Sequence, residues 1–175
     1  MSTIKRYFTI LILALVSVLT TACNKVTFNS ELTFKANNTK VKCTSAEEVN
    51  CVFYPSQNIV SLTGNNFNSV ANLEDGYKVK FIIENVQYLN DIVGISLPLQ
   101  SQVNPIKDMY IRGYISSNLH SFNYEFTDIE FKITSINKNK MNGTFSGLLV
   151  SNADASTIEV TSGTFSDISI EDLIP

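Results

Sequence analysis

The sequence predicts an all-β fold, an antiparallel β-sandwich with a closed β-barrel as the alternative, after a cleaved N-terminal signal helix. Three observations predict it. Beyond residue 22 the chain is poor in Ala and rich in Asn, Ser, Thr, Phe, Tyr and Ile, which favour strands and turns over helices. Several windows alternate apolar and polar residues with the two-residue period of a strand. Clusters of Asn, Gly and Pro separate these windows where turns are expected.

Short alternating windows predict the strands of the first half of the domain. The clearest is residues 77–86, in which every second side chain from Tyr77 to Ile83 is apolar and the intervening positions are mostly polar. Turn-forming residues bound most of these windows, as expected for strands joined by short connections. The other predicted strands of this half are residues 32–34, 39–44, 51–54, 59–63 and 92–97.

The second half predicts strands at residues 110–115, 122–126 and 129–134, followed by an internal repeat. The string Gly143-Thr144-Phe145-Ser146 returns after twenty residues as Gly163-Thr164-Phe165-Ser166. In the second copy Val160 is even-numbered and Phe165 is odd-numbered, so both can face inward only if the register slips by one residue. We therefore predict a β-bulge or tight bend at Ser162-Gly163, where glycine tolerates the required backbone angles.

The first twenty-three residues have the build of a secretory signal. Lys5 and Arg6 precede an apolar run over residues 8–19, and small residues lead from Thr20 to Cys23. Twelve residues span about 18 Å as a helix, which is short of a hydrocarbon core of about 30 Å. The predicted organisation is a signal peptide at residues 1–22, a tether at 23–30 and a single β-rich domain at 31–175.

A cysteine directly after a small residue at the end of such a run resembles the lipobox of bacterial lipoproteins. Here Thr20 stands where the aliphatic residue is usual, with Leu19 one step earlier. The resemblance implies that Cys23 is diacylated, with chains such as palmitate, and that a bilayer of the bacterial cell envelope is the partner. Because Asn24 rather than Asp follows the cysteine, the outer membrane is favoured over the inner. The alternative is ordinary cleavage after Ala22, which leaves Cys23 a free thiol.

The C-terminal pattern carries a second resemblance. An alternating strand at 129–134, a turn of Asn and Lys residues at 137–140 and two G-T-F-S strands resemble the ending of small lipoproteins of unknown function that are common in Bacteroidota. The resemblance covers residues 129–168 and the signal. It implies an exported antiparallel β-sandwich or barrel, and it brings no catalytic residues.

Charge limits the partners that the chain can bind. The net charge is −3, and two of the 13 basic residues lie in the signal. No Lys/Arg cluster remains, so nucleic acid is not an expected partner, because phosphate binding needs a concentrated basic patch. No motif indicates a cofactor, and we expect a monomer.

Two cysteines remain in the predicted domain, Cys43 and Cys51, with seven residues between them. Export would place them where disulfides form, and the spacing suits a loop between neighbouring strands, so a Cys43–Cys51 disulfide is predicted. The alternative is two free thiols. A metal site is not predicted, because no histidine lies near enough in sequence to complete a four-ligand set.

Tyr110 and Tyr114 are the candidate binding residues. They share one face of the predicted strand 110–115, and Ile111 and Ile115 compete for the inward face. Exposed rings at these positions could stack on a sugar or on an apolar patch of a partner protein. We therefore expect a non-catalytic binding or structural module with a protein or glycan ligand.

The alternative function is an envelope hydrolase. It would use His120, the single histidine, or the carboxylates of Glu125, Asp128 and Glu130. No serine lies in a nucleophile elbow, and the alternating pattern turns these carboxylates outward beside inward aromatic residues. The sequence therefore favours a membrane-anchored lipoprotein that is not an enzyme.

Overall fold

The computed structural model of the chain describes residues 30–45, 47–67, 70, 76–117 and 123–173, and these residues contain nine β-strands. The predicted signal peptide, Cys23, His120 and the first residue of the predicted strand 122–126 lie outside the described residues. The strands are β1 (Glu31–Ala36), β2 (Thr39–Cys43), β3 (Val49–Tyr54), β4 (Ile59–Asn65), β5 (Lys78–Glu84), β6 (Tyr110–Ser116), β7 (Tyr124–Asn137), β8 (Lys140–Ser151) and β9 (Thr157–Asp172).

Strand β9 closes the sheet on itself. Strands β3 to β9 follow one another as antiparallel neighbours, and the end of β9 also pairs in parallel with β3, through Cys51↔Ile170 and Phe53↔Asp172. These seven strands form a closed barrel. The β1–β2 hairpin pairs through β1 with residues 160–166 of β9. It lies on the same edge of β9 as β3, which pairs with residues 170–172.

The all-β class predicted from the sequence is confirmed, and the architecture is the closed barrel given as the alternative. The parallel β9–β3 pairing departs from a purely antiparallel sheet. Because β9 has sixteen residues, its last residues extend past β1, and their free edge pairs with β3.

Strand directions define two ends of the barrel. The lower end, as we call it, comprises the β3–β4 turn at Pro55–Gln57, the β5–β6 loop (residues 85–109), the β7–β8 turn and the end of β9. Strand β1 runs antiparallel to β9, so the chain enters β1 from the lower end at Ser30. The Ser30 hydroxyl donates a hydrogen bond to the Asp167 carbonyl at 2.7 Å, which fixes this point of the chain against the barrel.

Phenylalanine rings fill the centre of the barrel. The Phe81 ring packs against those of Phe126, Phe131 and Phe145, with ring centroids 4.8 to 5.8 Å apart. Phe165 stacks on Phe131 at 5.4 Å. Aromatic pairs at these separations add to the hydrophobic gain of burial, and they leave the interior filled by side chains.

The two G-T-F-S strings pair with each other. Thr144 lies opposite Thr164, so each phenylalanine lies opposite the glycine of the other copy, in the pairs Gly143↔Phe165 and Phe145↔Gly163. A Cβ on Gly143 would lie 2.1 Å from the Phe165 ring, and one on Gly163 would lie 2.4 Å from the Phe145 carbonyl oxygen. Each phenylalanine ring therefore covers the bare backbone of the glycine opposite it.

The predicted irregularity at Ser162-Gly163 is present. Phe145 pairs with Gly163 but Gly147 pairs with Val160, so β9 has one more residue than β8 over this stretch. Ser162 takes the extra position with a φ of 54°. This β-bulge brings the inward faces before and after it into phase.

The predicted strand at residues 92–97 is wrong. This part of the β5–β6 loop forms a 3₁₀ helix at Leu89–Ile92 and then isolated bridges rather than a ladder. Residues 93–99, here called the seam segment, cross the gap where β6 and β7 diverge below the pairs Tyr114↔Glu125 and Ile115↔Tyr124. The backbone N–H groups of Gly94 and Leu97 donate to the carbonyls of Ile133 and Phe131, at 2.8 and 3.2 Å.

The predicted disulfide is not formed. Cys43 and Cys51 are free thiols and both are buried in the core. The prediction assumed that the strands holding them are neighbours, but β1 and β9 lie between β2 and β3 in the sheet. Burial raises the pKa of each thiol from 9.0 to about 12, with the nearby Glu48 and Glu171 carboxylates adding to the effect at Cys43 and Cys51 respectively.

Candidate functional site

The two predicted binding tyrosines lie on the outer face of β6, as expected, but they differ in exposure. Tyr110 is only 4% exposed, and its hydroxyl donates a 2.6 Å hydrogen bond to Glu84, which lies opposite it in β5. Tyr110 is therefore a fixed structural ring, and its predicted role as an exposed stacking surface is corrected. Tyr114 is half-buried.

Arg112 lies between these two tyrosines on the same face. Its Nη2 donates to Glu84 Oε1 in a salt bridge, so one carboxylate accepts from both Tyr110 and Arg112. The Arg112 Nε is buried and has no hydrogen-bond partner. The hydrogen bond to Glu84, together with burial, raises the pKa of Tyr110.

A cleft of about 240 Å³ opens beside Arg112. It forms because β6 and β7 diverge and the seam segment spans the gap, with Leu99 bridging to Ile111. Its apolar residues form a floor and its polar residues form a rim. The floor is Leu99, Ile111 and Phe126, and the rim is Gln100, Ser101, Arg112 and Glu125.

The rim combines donors and acceptors around an apolar surface. A guanidinium has five N–H donors in a planar fork, and a carboxylate such as that of Glu125 accepts through two oxygens. Gln100 and Ser101 can donate and accept. A small ligand with several oxygens and one apolar face matches this arrangement in charge and shape.

The three carboxylates of the alternative hydrolase do not line one common cleft. Glu125 lines the Arg112 cleft, Asp128 lines a separate depression that also contains Glu159, and Glu130 lines a third. His120 lies outside the described residues. Within the described ranges, no three His, Cys, Asp or Glu side chains lie close enough to hold a metal ion.

Sequence reasoning missed Arg112 and its partner Glu84. The same-face rule that paired Tyr110 with Tyr114 could have found Arg112, because it lies two residues from each. Glu84 could not be found this way, because its position opposite Tyr110 depends on the β5–β6 register.

Comparisons with protein-family models, curated proteins and solved structures find no match to this chain. The described residues contain no helix that is long and apolar enough to cross a membrane.

Proposed function

We propose that the protein is a lipoprotein of the bacterial cell envelope, tethered through acylated Cys23, that binds a ligand without catalysis in the Arg112 cleft. The signal-like N-terminus and the lipobox resemblance support the anchor. The several acyl chains of such an anchor, at about 0.8 kcal/mol for each buried CH₂, would hold the barrel durably beside a bilayer.

One observation supports the binding role above the others. Arg112 carries a buried, unpaired Nε and lies on the rim of a cleft with an apolar floor. Buried donors nearly always have partners in folded proteins, so an unpaired one at a cleft is where a ligand oxygen or an ordered water would bind. Charge-assisted bonds of this kind are about twice as strong as neutral ones.

The size and chemistry of the cleft favour one sugar residue of a glycan as the ligand. Its volume of about 240 Å³ is below the roughly 300 to 1,000 Å³ of sites for drug-sized molecules. A sugar ring has hydroxyl groups for Arg112, Glu125 and Gln100, and C–H groups for the apolar floor. A protein partner would need about 800 Å² of complementary surface on each side.

A panel of mono- and oligosaccharides, titrated into the purified protein and followed by NMR, tests this role. Arg112→Lys keeps a cation beside Glu84 but removes the planar fork, so we expect affinity to fall about tenfold. Lys35→Ala, at an exposed position on β1, is the matched control and should bind normally. If no sugar shifts the resonances of the cleft, or if both variants bind alike, the binding proposal fails.

The anchor has a separate test. The protein isolated from the membranes of an expressing bacterium should show the mass of a diacylated N-terminal cysteine, and Cys23→Ser should abolish both the acyl mass and the partition into detergent. An unmodified terminus in the unsubstituted protein would contradict the anchor and leave the ligand site to be judged by its own experiment.

A further inference from the structure

Three large apolar side chains project from the lower end of the barrel. In the β5–β6 loop, Tyr88 is 70% exposed and Ile106 is 86% exposed, and Leu173, just after β9, is 50% exposed. The Leu173 N–H donates to the Phe53 carbonyl, so the backbone at this residue is held beside the end of β3. The described part of the opposite end has no large apolar side chain exposed to this degree.

Ile106 is held in place by a hydrogen-bonded turn. The Asn85 side-chain amide donates to the carbonyls of Pro105 and Asp108, at 3.0 and 2.7 Å. The side-chain carbonyl oxygen of Asn104 accepts a hydrogen bond from the Ile106 N–H at 3.1 Å. Because this turn is ordered in advance, insertion of Ile106 into another phase would lose little conformational entropy.

The route of the chain brings this end close to the anchor. The chain enters β1 from the lower end at Ser30, and six residues lie between Cys23 and Ser30. The seven Cα steps between them reach at most about 25 Å when extended. An acylated Cys23 therefore keeps Ser30, where the chain enters β1, within that distance of the membrane surface.

We propose that the lower end rests on the lipid bilayer, with Tyr88, Ile106 and Leu173 entering the headgroup region. This orientation rests on the proposed lipid anchor. The exposed charges of the lower end are of both signs and mostly acidic: Lys107, Lys138, Asp91, Asp108, Glu171 and Asp172. Apolar burial rather than attraction to anionic lipids therefore drives the contact, and it should occur on a zwitterionic membrane.

The chain has no tryptophan, so a single introduced tryptophan reports its own surroundings. The acylated full-length protein, with its acyl mass verified, would be reconstituted into phosphatidylcholine vesicles with and without brominated acyl chains. Ile106→Trp and Tyr88→Trp report the lower end, and Asn152→Trp, in the exposed β8–β9 turn at the upper end, is the control. All three positions are exposed, so the fold should tolerate each substitution.

Brominated lipid should quench Ile106→Trp and Tyr88→Trp at least about twofold, with blue-shifted emission, and leave Asn152→Trp unquenched. Adding Ile106→Asp to Tyr88→Trp should remove most of that quenching, because a carboxylate resists leaving water. If the acyl mass is present and all three tryptophans remain unquenched, the orientation is wrong and the anchor stands. If the acyl mass is absent, both proposals are overturned.

Discussion

At the scale of single residues, the two buried thiols should be chemically inert. The thiolate is the reactive form, and a pKa of about 12 leaves almost none of it at pH 8. Cys43 and Cys51 should therefore not react with a thiol reagent in the native protein, and both should react once it is unfolded in denaturant without reductant. Rapid labelling of the native state, or no labelling after unfolding, would contradict two buried free thiols.

The same thiols make stability fall at alkaline pH. Their pKa values are raised in the folded state, so the unfolded chain loses the protons first, and their contribution is complete below pH 9 and is lost as the pH rises towards 12. Denaturant unfolding between pH 8.5 and 10 should show a loss of at most about 1.4 kcal/mol per pH unit for each thiol. The double variant Cys43→Ala/Cys51→Ala should lose less of its free energy of unfolding over this pH range. An equal loss in the double variant would mean that the thiols do not cause the pH dependence.

Gly143 is required because the Phe165 ring lies against its backbone. In Gly143→Ala the new Cβ would meet that ring at 2.1 Å and the Lys132 carbonyl oxygen at 2.4 Å, and the backbone oxygen cannot move aside cheaply. We expect a loss of about 1 to 3 kcal/mol in the free energy of unfolding, as for other overpacked cores. Thr144→Ala, next in the strand and exposed, should change it by less than about 0.5 kcal/mol.

At the scale of elements, sequence periodicity located the strands well where both edges are paired. The prediction at residues 77–86 corresponds to β5 (Lys78–Glu84), and the phase change between Val160 and Phe165 located the bulge. It failed at residues 92–97, where Ile92 and Leu97 pack into the core, Ile95 is exposed, and the backbone forms only isolated bridges. The two-residue period of this segment could show neither that Ile95 is exposed nor whether a neighbouring strand is in reach.

The seam segment should hold β6 and β7 together through the side chain of Leu97, which is buried in the core. Leu97→Ala should lower the free energy of unfolding by about 2 to 4 kcal/mol, as other buried truncations do. It should also speed hydrogen exchange at the Ile111 N–H, which donates to the Pro98 carbonyl at 2.8 Å.

Ile95→Ala is the matched control, since Ile95 lies in the same segment with its side chain exposed. It should leave both the stability and the exchange rate close to those of the unsubstituted protein. Equal effects of the two substitutions would mean that the seam segment covers β6 and β7 without stabilising them.

At the scale of the whole molecule, the sequence could not decide between a sandwich and a barrel. Alternation assigns side chains to an inner and an outer face, and both architectures have such faces. The candidate site depended on the same missing information. The outward position of Tyr110 followed from period two, but its hydrogen bond to Glu84 depends on the register of β5 and β6, which the sequence does not show.

Closure of the barrel depends on three residues near the end of β9. Ile170 to Asp172 pair with β3, and the Ile170 side chain is buried in the core. A chain that ends at Ser169 loses this pairing and a buried isoleucine worth about 2 to 5 kcal/mol, which should lower the melting temperature by about 10 °C. A chain that ends at Leu173 keeps the pairing and should melt like the full-length protein. The pairing joins residues more than one hundred positions apart in sequence. Its loss should therefore leave β4 to β8 hydrogen-bonded to their neighbours, while β3 exchanges its amide protons rapidly. Equal melting temperatures of the two shortened chains would show that closure of the barrel does not depend on this pairing.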